Sequence, residues 1–271
     1  MKDYRKEYYE QPTFWNQDYL KMPAEKERIQ EIINAVPPDT GSILDVGCGN
    51  GAFVNTFVGT FSNKKVVGLD SSEEALKYVR TDKIRGNITS LPFENDTFDL
   101  VLCLEVLEHL PEDDFREGIS ELQRVSKSHI VITVPNQEDL ELSLVMCPKC
   151  YCWFIPYLHM RSFNKDNLDN LFKDLKLLCV KEIGPVIEYR SYNYSVLRFY
   201  HFWRRPLPPE TAICPQCGYQ NKKELRNRES SKYFDHLLSL LVSLIKPLVR
   251  LITPLRRKRR WLLAVYGKSS R

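Results

Sequence analysis

"ILDVGCGNGAF", residues 43–53, decides how the chain folds. Ile43 to Val46 is a short apolar run of the kind that forms a buried parallel strand, and Gly47, Gly49 and Gly51 follow it directly. Glycines at such a turn let backbone N–H groups approach a ligand with no side chain in the way. The spacing is Gly-x-Gly-x-Gly rather than Gly-x-Gly-x-x-Gly, which argues against a nicotinamide dinucleotide.

Working outward, "KVVGLD" (65–70) is a second strand closing on Asp70, with "SSEEALKYVR" as its helix. A carboxylate there can accept both hydroxyls of an adenosyl ribose, or can simply cap a helix. "FDLVLCLEVLEHL" (98–110) reads as a strand running into a helix, and "HIVITVPN" (129–136) as a further strand ended by Pro135. Upstream, an aromatic-rich start gives way to a helix over Ala24–Ala35, stopped by Pro37 and Pro38. Downstream come a helix over Lys165–Leu175, a strand over 177–189, an apolar helical stretch over 233–252 and a final strand over 261–268. Strands alternating with helices predict a doubly wound α/β fold with a mostly parallel sheet.

These motifs, with "GNITSLPFENDTFDLVLCLEVLEHL" (86–110), resemble the class I S-adenosylmethionine-dependent methyltransferases of the ubiquinone-biosynthesis (methyltransferase-11) type. The resemblance is close over residues 40–136 and implies a Rossmann-like sheet of seven strands, the last antiparallel. It implies that Asp45, Gly47, Cys48 and Gly49 line the methionine part of S-adenosylmethionine, Asp70 and Ser71 the ribose, and Asn87 and Ile88 the adenine. Leu104 and Glu105 would face the cofactor from the fourth strand. Asn87 departs from the aspartate many relatives carry, and its amide oxygen can still meet the adenine amino group. The implied activity is methylation, on oxygen, of a small-molecule, glycan or lipid-linked acceptor. A non-catalytic cofactor-binding protein and an RNA methyltransferase are the rival readings.

Methyl transfer from a sulfonium is a displacement, so alignment dominates and an oxygen nucleophile must also lose a proton. "EVLEHL" sets Glu105, Glu108 and His109 at i, i+3 and i+4, on one face of an expected helix start. That face can act as a base or hold a divalent metal, as the equivalent residues of quinone-biosynthesis O-methyltransferases do, or only cap and pack. His159 is a second candidate base, with a structural histidine or a zinc ligand as the alternatives.

Cys147-Pro-Lys-Cys150 and Cys214-Pro-Gln-Cys217 are two knuckles of one design, and together they predict a structural zinc site with four thiolates. Cys152 is left over as a packing residue, and Cys103 and Cys179 read as core fillers. The knuckles fall on the connections leaving the fifth and sixth strands, so one zinc would pin two insertions as a cap over the site. The expected organisation is an N-terminal aromatic and helical lid (1–40) and a catalytic domain (41–188 with 260–268). Zinc-linked insertions (137–160 and 189–232) and an amphipathic helix with its basic run (233–259) complete it.

Net charge is +4, but residues 222–271 carry 14 Lys or Arg against 3 Asp or Glu, leaving the rest of the chain at −7. No signal peptide is recognised near residue 1, and no apolar run approaches the ~20 residues of a membrane span. A cytoplasmic protein is therefore expected, peripheral at the inner face of a membrane where the apolar stretch and "RRKRR" (256–260) meet anionic lipid. A helix packed on the domain or in a homodimer is the alternative, and a nucleic-acid partner is disfavoured.

Overall fold

Each central strand sends alternate side chains into two separate apolar layers, which is why the apolar runs are continuous. In β1 (Ser42–Val46), Leu44 joins one layer and Ile43 the other; in β4 (Phe98–Leu104), Val101 and Cys103 oppose Leu100 and Leu102. The computed structural model describes residues 4–61, 64–190, 206–220 and 255–268. Its chain divides into two compact units.

The larger unit comprises residues 9–138, 159–185 and 259–271. α1 (Tyr4–Tyr9) belongs to the smaller unit up to Tyr8; in the larger unit the short α2 (Pro12–Trp15) precedes α3 (Pro23–Asn34). Then follow β1, α4 (Ala52–Thr60), β2 (Lys65–Asp70), α5 (Glu73–Leu76), β3 (Asp82–Arg85), β4, α6 (Glu112–Val125) and β5 (Ser126–Pro135). The sheet continues after β6 (Val145–Met146), β7 (Trp153–Phe154) and α7 (Lys165–Leu168) with β8 (Leu175–Arg190) and β9 (Leu255–Lys268). Strand order is β3-β2-β1-β4-β5-β9-β8. Pairings among β1 to β5 are parallel, and β5 meets β9 antiparallel from His129↔Gly267 to Pro135↔Trp261. The architecture is thus the predicted largely parallel, seven-stranded Rossmann-like sheet. Ile29 and Ile32 of α3 and Phe53, Val54 and Phe57 of α4 cover one face; Leu122 and Val125 of α6 and Leu168 cover the other.

Several expectations are corrected. The helix after β2 is one turn, capped by Ser72, whose hydroxyl accepts the Ala75 N–H. The helix expected over Lys165–Leu175 ends at Leu168, and Leu175 already begins β8. Cys179 is exposed, because β8 is an edge strand with one face less covered, whereas Cys103 is fully buried. The basic run does not end a helix: Arg256–Arg260 lies inside β9. There Arg257 pairs with Glu188, and Arg259 with Glu27. The apolar stretch over 233–252 lies outside the described residues. Among the described residues, no helix is long and apolar enough to cross a membrane.

The smaller unit comprises residues 1–8, 139–158 and 186–258. β6 and β7 form a short antiparallel hairpin, Val145↔Phe154 and Met146↔Trp153, flanking the first cysteine knuckle. Its core is Val145, Cys147, Phe154, Ala212 and Cys214.

Candidate active site

The turn after β1 is built by backbone geometry. Gly47 and Gly49 sit at φ 76° and 54°, a region costly for residues with a Cβ. A Cβ on Gly47 would lie 2.4 Å from Val106, and one on Gly49 2.8 Å from Trp15. The Gly47 and Cys48 N–H groups donate to the Leu69 carbonyl, so the loop is clamped to the end of β2. Asp70 completes the clamp: one carboxylate oxygen accepts the Gly49 N–H at 2.8 Å, and the other the Ser72 N–H at 2.8 Å. Burial raises the Asp70 carboxyl despite these donors. A segment near the N-terminus packs on this loop. Asn50 Nδ2 donates to the Trp15 and Gln17 carbonyls, Ser72 Oγ donates to the Tyr9 carbonyl, and Glu10 accepts the Glu73 and Glu74 N–H groups.

Cys48 is buried with its thiol pushed well up by burial, so it is no nucleophile. Ser71 is exposed, and its carbonyl accepts from Arg85. Ile88 is buried against Gly118. Asn87 is exposed, with its side-chain oxygen accepting the Thr89 N–H at 3.3 Å. Leu104 is partly buried against the α3/α4 layer.

At the carboxyl ends of β4 and β5 lies an acidic shelf. Glu105 is not part of a helix; its φ of 57° turns the chain sharply, and its N–H donates to the Thr133 carbonyl. Glu108 and His109 follow in a single 3-10 turn, Leu107–His109, and Pro111 defers α6 to Glu112. The three residues therefore do not share a helix face, which corrects the sequence reading. Glu108 converges with His109 and His159 instead: one ligand atom from each lies within 4.8 Å of the others. The His109 and His159 rings meet edge to face, centroids 4.6 Å apart. Asp45 Oδ1, Glu105 Oε1 and both Glu108 oxygens are buried with no hydrogen-bond partner among the described residues. Burial, then the charge of Glu105, holds the Glu108 carboxyl well above its ordinary range; burial likewise raises Glu105, against the pull of Arg28. Arg28 offsets this charge, held by Glu25 at 2.6 Å and reaching Thr133.

Residues 43–129 match the family model described as a methyltransferase domain. Relatives extend the match. An uncharacterised protein of Methanocaldococcus jannaschii is 37% identical over 102 residues, covering 36% of this chain and 42% of that protein. A demethylmenaquinone methyltransferase of Bacillus cereus (strain B4264) is 36% identical over 95 residues, 31% of this chain and 39% of the enzyme. The matched part thus spans less than half the length of these curated relatives. A crystal structure of a Pyrococcus horikoshii OT3 protein shares the fold, with TM-score 0.54 and 18% identity over 66% of this chain and 93% of that one.

The residues of the matched segment fit S-adenosylmethionine. The cofactor is a cation carrying a ribose diol; the buried, unpartnered oxygens of Asp45 and Glu105 suit the cation, and the remaining lone pairs of Asp70 suit the diol.

Outside that segment, Cys147, Cys150, Cys214 and Cys217 each offer a sulfur within 4.8 Å of the others, the predicted four. The two knuckles repeat one hydrogen-bond pattern. Tyr151 and Gly218 donate N–H to the carbonyls of Cys147 and Cys214, while Cys147 and Cys214 donate to the carbonyls of Cys152 and Tyr219. Tyr151 and Gly218 both have positive φ, 60° and 67°. Cys152 thus occupies the place of Tyr219, which explains why it is surplus, although its sulfur lies 3.3 Å from those of Cys150 and Cys214. Burial pushes the Cys214 and Cys217 thiols to about 12. At Cys150 burial is outweighed by donors from Cys152, Cys217 and Cys147, which bring it to about 6. Four sulfurs so placed form a group that can hold a metal ion.

Sequence reasoning missed Arg28, Glu138 and Trp15. Each is joined to the site only by folding, and none belongs to a spaced motif.

Proposed function

We propose that the protein is an S-adenosylmethionine-dependent methyltransferase acting on an oxygen of a small-molecule, glycan or lipid-linked acceptor. The observation that carries this reading is the group of buried carboxylate oxygens on Asp45, Glu105 and Glu108 with no hydrogen-bond partner among the described residues, with buried Asp70 beside the glycine turn. Uncompensated buried carboxylates are costly, and a cationic cofactor removes that cost. Bound S-adenosylmethionine would supply an electrophilic methyl group on a sulfonium. Asp70 would hold the ribose, the Gly47–Gly49 turn the methionine part, and Ile88 the adenine. Asn87 would first release Thr89 to offer its amide oxygen. His109 and His159, whose rings meet edge to face, are the candidate bases for an acceptor proton. The relation to demethylmenaquinone methyltransferases supports a lipid-like acceptor.

Cys147, Cys150, Cys214 and Cys217 would hold one structural zinc that joins the two insertions to each other. Isothermal titration calorimetry tests the cofactor: the wild type should bind, and Asp70→Ala should weaken binding by about tenfold or more, the loss of one to two hydrogen bonds. No binding at millimolar cofactor, with Asp70→Ala indistinguishable, ends the proposal. Metal analysis should find about one zinc per chain, lost in Cys214→Ser. Full occupancy in a Cys147→Ser/Cys214→Ser double variant excludes this ligand set.

A further inference from the structure

Cys152 lies outside the four-sulfur group yet touches it. Its Sγ is 3.3 Å from Cys150 Sγ and 3.3 Å from Cys214 Sγ. Both contacts are shorter than the 3.6 Å between Cys150 and Cys214 and the 3.7 Å between Cys147 and Cys217. The knuckle itself holds it there, because the Cys152 carbonyl accepts the Cys147 N–H at 2.9 Å. In the second knuckle the matching carbonyl belongs to Tyr219, so only the first carries a fifth sulfur. Cys147 and Cys214 are buried, whereas Cys150, Cys152 and Cys217 are half-buried. All five belong to the smaller unit.

A tetrahedral zinc is satisfied by four thiolates, and a fifth sulfur beside them stays unbound. The four are shielded by the ion they share, and the unbound one is open to oxidants. An accessible thiol next to a second sulfur is the arrangement in which oxidation ends as a disulfide rather than as an over-oxidised acid. We propose that Cys152 is a redox-exchange residue: hydrogen peroxide oxidises it, and it then bonds to Cys214 and expels the zinc. This rests on the reading of the four thiols as a zinc site. In the first step the Cys152 sulfur attacks one peroxide oxygen and the O–O bond breaks. The sulfur becomes a sulfenic acid, the peroxide is reduced, and the thiol proton leaves with the departing hydroxide as water. In the second step the Cys214 thiolate attacks the Cys152 sulfur. The S–S bond forms, the S–O bond breaks, and the hydroxide released takes a proton from solvent. Cys214 is the partner because Cys150 is only one residue away, and a disulfide there would close a small, strained ring. Three thiolates remain, one short of a closed site. The new bond joins the same two stretches as the metal did, so residues 147–152 and 214–217 stay bridged. A thiol reductant restores the starting state.

The test uses the full chain loaded with zinc, hydrogen peroxide as the oxidant and a chromogenic chelator that reports released metal. Wild type, Cys152→Ala and Cys152→Ser should carry equal zinc before oxidation, about one per chain. Peroxide should then release zinc from the wild type about tenfold or more faster than from either variant. Peptide mapping after alkylation should find Cys152 linked to Cys214 in the wild type, and reduction with added zinc should restore full occupancy. A second measurement needs no variant: a dione specific for sulfenic acids should label Cys152 in the wild type. Equal release rates overturn the proposal, as does first labelling at another cysteine or a wild-type disulfide confined to Cys147, Cys150, Cys214 and Cys217. Loss of zinc from both variants before oxidation also overturns it, since Cys152 would then be a ligand. The two readings fail differently. A wild type that holds no zinc removes the four-thiol site and the exchange with it, whereas bound zinc indifferent to Cys152 removes the exchange alone.

Discussion

Asp45 lies fully buried beside Asp70, and two carboxylates so placed resist ionising together. Burial first, then the Asp70 charge, pushes the Asp45 carboxyl from 3.8 up to about 7. The folded state therefore holds a proton that the unfolded chain has already lost. Between those two values the unfolded state binds fewer protons, so stability falls as pH rises from about 4 to about 7. The effect is at most about 4 kcal/mol for one group. Denaturant titrations of the cofactor-free protein should show this decline, and Asp45→Asn should flatten it. A stability profile unchanged by Asp45→Asn removes the argument. A cationic cofactor favours the ionised form, so its affinity should rise over the same window.

Among the elements, β1, β2, β4 and β5 were legible because buried parallel strands are continuous apolar runs. β3 was not, for a physical reason: "DKIR" is the sheet's outer strand, and of its four side chains only Ile84 is even partly covered. The basic half of β9 misled for the same reason, since exposed strand residues need no apolar pattern. His109 and His159 could each be nominated from sequence, but their convergence with Glu108 and Glu138 is a product of tertiary folding. β8 carries a further constraint that no pattern reveals. Gly184 has φ 79°, and a Cβ there would lie 2.2 Å from the ring of buried Trp261. Gly184→Ala should cost about 2–5 kcal/mol through strain and overpacking, lowering Tm by on the order of 5–15 °C. Gly59→Ala is the contrasting case. It has open space around it in α4, and should be neutral or add up to ~1 kcal/mol. Equal melting behaviour of the two variants would show that the Trp261 contact has no such role.

At the scale of the whole molecule, charge is segregated, with +11 carried by residues 222–271. Six of those charges sit on β9, where Arg257, Arg259 and Lys268 are partly neutralised by Glu188, Glu27 and Asp96. If this strand meets an anionic lipid surface, the exposed Arg256 and Arg260 contribute about 1 kcal/mol each. The protein should float with anionic vesicles at low salt, stay behind with neutral ones, and lose affinity by tenfold or more when these two become Gln. Flotation indifferent to vesicle charge would dismiss the membrane reading.

The paired knuckles carry a consequence for ancestry. Two thiols from residues 147–150 and two from 214–217 come together in one group, and if that group holds the proposed zinc, half of it closes nothing. Neither stretch can be gained or discarded by itself without stranding buried sulfurs. The two loops should therefore be inherited as a pair: descendants that lack Cys147 and Cys150 should also lack Cys214 and Cys217, even where the sheet between them is retained unchanged.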